Sequence, residues 1–131
     1  ENRVAINRAG GIGAVVRGME AHRSVAGVQK QGCGALNNLA YNNDENKVAI
    51  NRAGGIGAVV RGMEAHVSVA VVQEEGCWAL RNLASNNAAN KRDIVAASGR
   101  EALQRAMQLH PDSTIVQPLA EDALSKLQRH T

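Results

Sequence analysis

The sequence predicts an all-α chain, a solenoid of three stacked helical repeats, and three observations carry this reading. The sequence repeats itself at an offset of 44 residues. Apolar residues in each copy recur at helical spacing, and no segment alternates in the manner of a strand. Aromatic residues make up only 2% of the chain, so the core must be built from Val, Leu, Ile, Ala and Met, which requires closely approaching backbones.

The repeat is nearly perfect over its first half. Glu1 to His22 recurs as Glu45 to His66, with Arg3 alone changed, to Lys47. The second half drifts: Gly27 becomes Val71, Gln31 becomes Glu75, Gly34 becomes Trp78, Asn37 becomes Arg81 and Tyr41 becomes Ser85. A third copy is decayed but in register, with Met107, His110, Gln117, Leu124 and Leu127 at the expected offset from Met63, His66, Gln73, Leu80 and Leu83. The boundaries are therefore 1–44, 45–88 and 89–131. A unit of this period cannot bury its apolar face alone; stacking buries it.

Each unit divides into three helices. In the middle copy the first is expected over Glu45–Ala53, with Asp44 as its N-cap and Gly54-Gly55 as its stop. The second runs from Ile56 to His66 and places Ile56, Val59, Val60 and Met63 on one face. Gly57 and Gly62 weaken it unless they admit a close neighbour. The third runs from Ser68, its expected cap, to Ala84, with Val69, Val72, Gly76, Ala79, Leu80 and Leu83 as its stripe. The Gly-Gly-Ile-Gly segments at Gly10–Gly13 and Gly54–Gly57 are read as helix junctions. They lack the preceding strand and the Lys-Ser/Thr of a phosphate-binding loop.

Asn-Lys-x-x-Ile-x-x-Ala-Gly-Gly-Ile at Asn46–Ile56 and Gly-Cys-Trp-Ala-Leu-Arg-Asn-Leu-Ala at Gly76–Ala84 resemble the armadillo repeat family. The resemblance extends over essentially the whole chain, weakest in the third copy. HEAT repeats share the period, but they have two helices and lack the Gly-Gly junction. The resemblance implies a right-handed α-solenoid of three-helix repeats whose third helices line a concave groove for an extended peptide. In the peptide-binding members, an Asn amide bonds the peptide backbone and a Trp packs on the stems of its side chains. In related repeats an acidic residue one turn before the Trp meets Lys or Arg of the ligand.

The chemistry is sound in itself. A side-chain amide both donates and accepts, as a peptide unit does. An indole face attracts cationic stems. On this chain the pattern maps to Glu75, Trp78 and Asn82, flanked by Arg81 and Ser85. In the first copy it maps to Gln31, Gly34 and Asn38, flanked by Asn37 and Tyr41, and in the third to Leu119, Asp122 and Lys126, where it is lost. The plainer alternatives are that the asparagines bond neighbouring repeats, that Trp78 packs on the adjacent repeat and that Glu75 is a solvated helix residue.

The expected partner is thus a protein or extended peptide, preferably carrying Lys or Arg. The competing expectation is a structural or self-assembling scaffold with no peptide ligand, either a fragment of a longer array or an engineered repetition. A third, weaker reading is an acidic partner on the stripe Arg17, Arg61 and Arg105, which otherwise forms a solvated face. Net charge is only +3, and no dense basic cluster or aromatic platform suggests nucleic acid. No apolar stretch approaches the length of a membrane span. No nucleophile–base pair or carboxylate cluster suggests an enzyme, and no cofactor or metal is implied. His22, His66 and His110 recur at helix ends, where a His suits the dipole. Cys33 and Cys77 are read as reduced packing residues, which favours an intracellular origin.

The ends of the array differ. The third copy is cap-like, with Asp112, Glu121, Asp122 and Lys126 at positions less polar in the copy before, and Pro118 is expected to delay or kink its last helix. The first copy has no such adaptation. It should expose Val4, Ile6 and the region of Ile12, Val15, Val16 and Met19, and through that open face either self-associate or be only marginally stable.

Overall fold

The computed structural model describes residues 2–129, and the side chains of residues 8–128. These residues are all-helical, with no strand among them. Eight helices follow one another: α1 (Asn2–Ala21), α2 (Ala26–Ala40), α3 (Asp44–Arg52), α4 (Gly55–Ala65), α5 (Ala70–Ala84), α6 (Ala88–Ala96), α7 (Gly99–Leu109) and α8 (Val116–Arg129). Within a repeat the second helix packs on the third, as α4 on α5 and α7 on α8. Between repeats the third helices pack side by side, α2 against α5 and α5 against α8. One continuous core of small aliphatic residues runs through all three repeats, from Ile12 to Leu127.

The helix boundaries follow local chemistry. Asn43, extended at φ −138°, caps α3 by accepting a hydrogen bond from the Asn46 amide at 2.9 Å, and Asn87 does the same for α6 with Asn90. The cap is therefore Asn43 and not Asp44, which becomes the first helical residue and sets its charge at the positive end of the dipole. Ser68 is not a cap either. The turn after α4 closes through the Val69 amide on the His66 carbonyl, which leaves Ser68 exposed at the tip, and α5 begins at Ala70. In the third repeat α8 begins at Val116, later in register than α2 and α5 by two residues. Pro118 sits in its first turn, where the missing N–H costs nothing.

Gly54 stops α3 in the left-handed region at φ +85°, and Ser98 repeats this stop at φ +70°. The equivalent Gly10 does not stop its helix. Asn2–Ala21 runs straight through Gly10–Gly13, which corrects the reading of that segment as a junction. The sequence is the same; the surroundings differ. At Gly55 an added Cβ would lie 2.4 Å from Ile50 Cγ2, whereas at Gly10 and Gly11 nothing lies within 4 Å. The first helix of repeat 2 folds back over repeat 1, touching α1 and α2, whereas among the described residues α1 has no such neighbour on that side. Continuing the backbone hydrogen bonds is then the favourable alternative.

Close approach explains Gly32, Gly62 and Gly76. The Met63 side chain occupies the place of a Cβ on Gly76, with its sulfur 2.6 Å from that point, and Met19 does the same at Gly32. Gly62 lies against the Gln29 side chain of the preceding repeat, 2.6 Å from the point a Cβ would take. These glycines are close-packing positions, which offsets their low helix propensity.

One glutamine amide per repeat, buried in the first two and half-buried in the third, ties the second helix to the third. Gln29 Nε2 donates to the Met19 and His22 carbonyls, both at 3.0 Å. Gln73 repeats this on Met63 at 3.0 Å and His66 at 2.8 Å, and Gln117 on Met107 and His110. The carbonyls belong to the end of the second helix and its cap, and the amide adds a second donor to those already closed by the turn, as that of His66 is by the Val69 amide. Asn46 and Asn90 act likewise at the next corner, donating to the Leu39 and Leu83 carbonyls.

Polar links then join one repeat to the next. Arg61 pairs with Glu20 and Arg105 with Glu64, so the expected solvated stripe is largely an inter-repeat ladder. His66 Nε2 lies 2.8 Å from the Arg23 carbonyl, and His110 Nε2 lies 2.8 Å from that of Val67. These histidines bridge repeats, a role beyond the dipole interaction expected of them.

The exposed face of repeat 1 also differs from expectation. Ile12, Val16 and Met19 are buried, because their stripe of α1 turns inward against the rest of the repeat; Val15 alone of the group stays half-buried. Val4 and Ile6 lie outside the described side chains. The open surface is instead Ala14, Val15, Val25 and Val28.

Replacing Gln73 by Met removes its two hydrogen bonds to the Met63 and His66 carbonyls and should lower stability by about 2 kcal/mol, read by urea unfolding. Ser98→Gly should act oppositely, raising stability by about 1 kcal/mol as the left-handed strain at this residue is relieved.

Candidate functional site

α2 and α5 enclose a groove of about 860 Å³ on the side away from the second helices. Its α2 wall follows one helical stripe, Lys30, Gly34, Asn37 and Tyr41, with Gln31, Ala35 and Asn38 beside it. Its α5 wall is Glu75, Trp78 and Arg81. The groove exists because Gly34 stands where the next repeat has Trp78. A Cβ at Gly34 would lie 3.3 Å from Glu75 Oε1, so the carboxylate leans across the gap toward α2.

Trp78 is 39% exposed, while Val72, Cys77, Leu80 and Leu83 on the same helix are fully buried. Tyr41 is 64% exposed at the groove's end. The indole therefore faces the groove and is not packed inside the stack.

Six of the eight residues singled out from the sequence line this groove: Asn37, Asn38, Tyr41, Glu75, Trp78 and Arg81. Asn82 and Ser85 do not. Asn82 is only 6% exposed, and its Nδ2 donates to Asn37 Oδ1 of the preceding repeat. This amide is a link between repeats, the plainer of its two readings. Ser85 closes the end of α5: its hydroxyl donates to the Arg81 carbonyl at 3.0 Å, and its own carbonyl accepts from Lys47 Nζ at 2.9 Å. Asn38, the repeat-1 counterpart of Asn82, stays exposed on the groove.

Arg81 is oriented from the third repeat. Its Nε donates to Asp122 Oδ2 at 2.6 Å, and Lys126 approaches the other oxygen at 3.5 Å. The Arg81 hydrogen bond holds the Asp122 carboxyl below the usual carboxylate range, against a smaller opposing effect of burial. Asp122 occupies the position of Trp78 one repeat on, so the third repeat contributes an anchor for a groove residue in place of a pocket of its own. Lys30 and Ala35 were not singled out from the sequence. The signal for Lys30 was its spacing to Gly34, Asn37 and Tyr41 along one face.

Cys33 and Cys77 are buried and unpaired, and burial pushes both thiols up to about 12. Neither is an activated nucleophile. Among the described residues no group of three His, Cys, Asp or Glu side chains is placed to hold a metal ion, and no helix is long and apolar enough to cross a membrane.

No protein-family model, curated protein or solved structure matches the chain. The geometry of the groove therefore carries the functional argument.

The thiols provide a test of the packing around the groove. Both should resist an alkylating reagent at pH 8 in the native protein and react on unfolding. Because their folded pKa lies above the ordinary 9.0, the folded state binds their protons more tightly. Stability should hold below pH 9 and fall progressively as pH rises toward 12.

Proposed function

We propose that this chain is an armadillo-type protein-binding module that captures an extended peptide in the groove between α2 and α5. The observation that carries the reading is the exposure of Trp78 beside Glu75 on the wall of the groove. A solvent-facing indole next to a carboxylate is a fitting seat for the stem and charge of a Lys or Arg side chain. Asn38 presents an exposed amide to the groove and takes the peptide backbone. Asn82 serves indirectly, holding Asn37 and through it the spacing of the two walls. Gly34 opens the middle of the groove, and Tyr41 and Arg81 stand at the C-terminal ends of its two walls.

The alternative reading, a scaffold without a peptide ligand, is favoured by a separate feature, the uncovered apolar side of repeat 1 described below.

A site with a single indole and a short pair of walls holds few peptide residues, and binding should be weak, with Kd on the order of 100 μM. Trp78 is the single tryptophan, so its fluorescence reports on the groove directly. Titration with short Lys- or Arg-containing peptides should give a saturable change, and a Gly/Ser peptide none. Glu75→Gln should weaken the basic peptide about tenfold, and Asn38→Ala should weaken peptides irrespective of their charge. A flat response to every peptide from an indole that solvent quenchers reach would leave the groove without this function.

A further inference from the structure

The leading side of repeat 1 and that of repeat 2 are made of the same residues but meet different surroundings. Ala58, Val59, Val72 and Ala79 of repeat 2 are at most 2% exposed, because repeat 1 covers them. Their counterparts Ala14, Val15, Val28 and Ala35 line an open apolar groove of about 700 Å³.

The polar rim repeats the pattern. Arg61 and His66 of repeat 2 reach back to Glu20 and to the Arg23 carbonyl, and Arg105 and His110 of repeat 3 reach back to Glu64 and the Val67 carbonyl. The repeat-1 counterparts are Arg17 and His22, both exposed. Among the described residues no hydrogen bond or ion pair reaches either side chain. The surface thus presents an apolar groove with donors on its rim, and its complement supplies a carboxylate and a main-chain carbonyl.

A second copy of this chain is a poor complement. Two leading sides would set Arg17 and His22 against their own kind. The far side of repeat 3 carries Glu121 where Cys33 and Cys77 are wholly buried, and Gln108 where Glu20 and Glu64 provide the carboxylate. Burying Glu121 without a partner is strongly unfavourable. The trailing side of repeat 1 or 2 has what is required, but each is already covered by the repeat that follows it.

We propose that the open side of repeat 1 is a docking surface for one further 44-residue repeat of the repeat-1 and repeat-2 kind, and that its docking breaks α1 at Gly10. The break follows from repeat 2, where the same sequence turns at Gly54 once a preceding repeat is present. This proposal is independent of the peptide groove.

The test adds one extra copy of residues 1–44 ahead of Glu1 in the full chain, so that the new join reproduces Asp44–Glu45. Tethering keeps the added repeat at high effective concentration, so failure to dock is informative. Amides of α2 from Val28 to Ala35 should exchange at least tenfold more slowly in the extended chain. Gly10→Ala should change sign: it raises the melting temperature of the 131-residue chain, where Gly10 is mid-helix with nothing within 4 Å, and lowers that of the extended chain, where the position turns left-handed. Unchanged exchange in α2, or a Gly10→Ala effect of the same sign in both chains, would overturn the proposal. Light scattering provides a separate arm. The 131-residue chain should be monomeric, and a dimer abolished by Arg17→Glu would assign the surface to a second copy instead.

Discussion

A primary amide at the start of each third helix sets the geometry on which the rest depends. Gln29, Gln73 and Gln117 each donate to two carbonyls at the end of the second helix, and each does so from the same register. Gln29 and Gln73 are almost wholly buried. A buried amide that satisfies two acceptors at once allows little variation in the angle between the helices it joins. That angle turns α2, α5 and α8 side by side, which brings Trp78 and Glu75 opposite Gly34 and makes the groove. It also brings Met63 onto Gly76 and Met19 onto Gly32, so the packing of each repeat agrees with its hydrogen bonding.

The second constraint is the neighbour. One 22-residue sequence, changed at a single position, takes two forms in this chain: a continuous helix in repeat 1, and two helices about a left-handed Gly54 in repeat 2. Local propensity is the same in both, so contact with the preceding repeat decides between them. This is the behaviour of a one-dimensional array, in which each unit is stabilised through its interfaces. The function proposed here has the same origin, since both walls of the groove come from different repeats and the bond between Asn82 and Asn37 spans them.

The helical class and the three-part division of the middle repeat were legible from period and spacing alone. The groove was legible in part. Trp78, Glu75, Asn38 and Tyr41 share helix faces that the sequence displays, and they line one groove. Asn82 illustrates what was not legible. Its type and spacing suit a ligand contact, yet they suit a bond to Asn37 equally well, and only the separation of α2 and α5 distinguishes them. The arginine stripe misled for the same reason, because the carboxylates facing Arg61 and Arg105 lie 41 residues earlier, in the preceding repeat. The straight course of α1 was illegible in principle, since an identical sequence bends elsewhere in the chain.

That identity makes a controlled measurement possible. Residues Ala14–Gly18 and Ala58–Gly62 have the same sequence and the same flanking residues, so their amides have the same intrinsic exchange rates, and all lie within helices. Native-state hydrogen exchange followed residue by residue compares them within one molecule. If interfaces between repeats determine the structure, Ala58–Gly62, covered on both sides, should exchange far more slowly than Ala14–Gly18. Equal protection of the two segments would mean that each repeat is stable by itself, and would contradict the account.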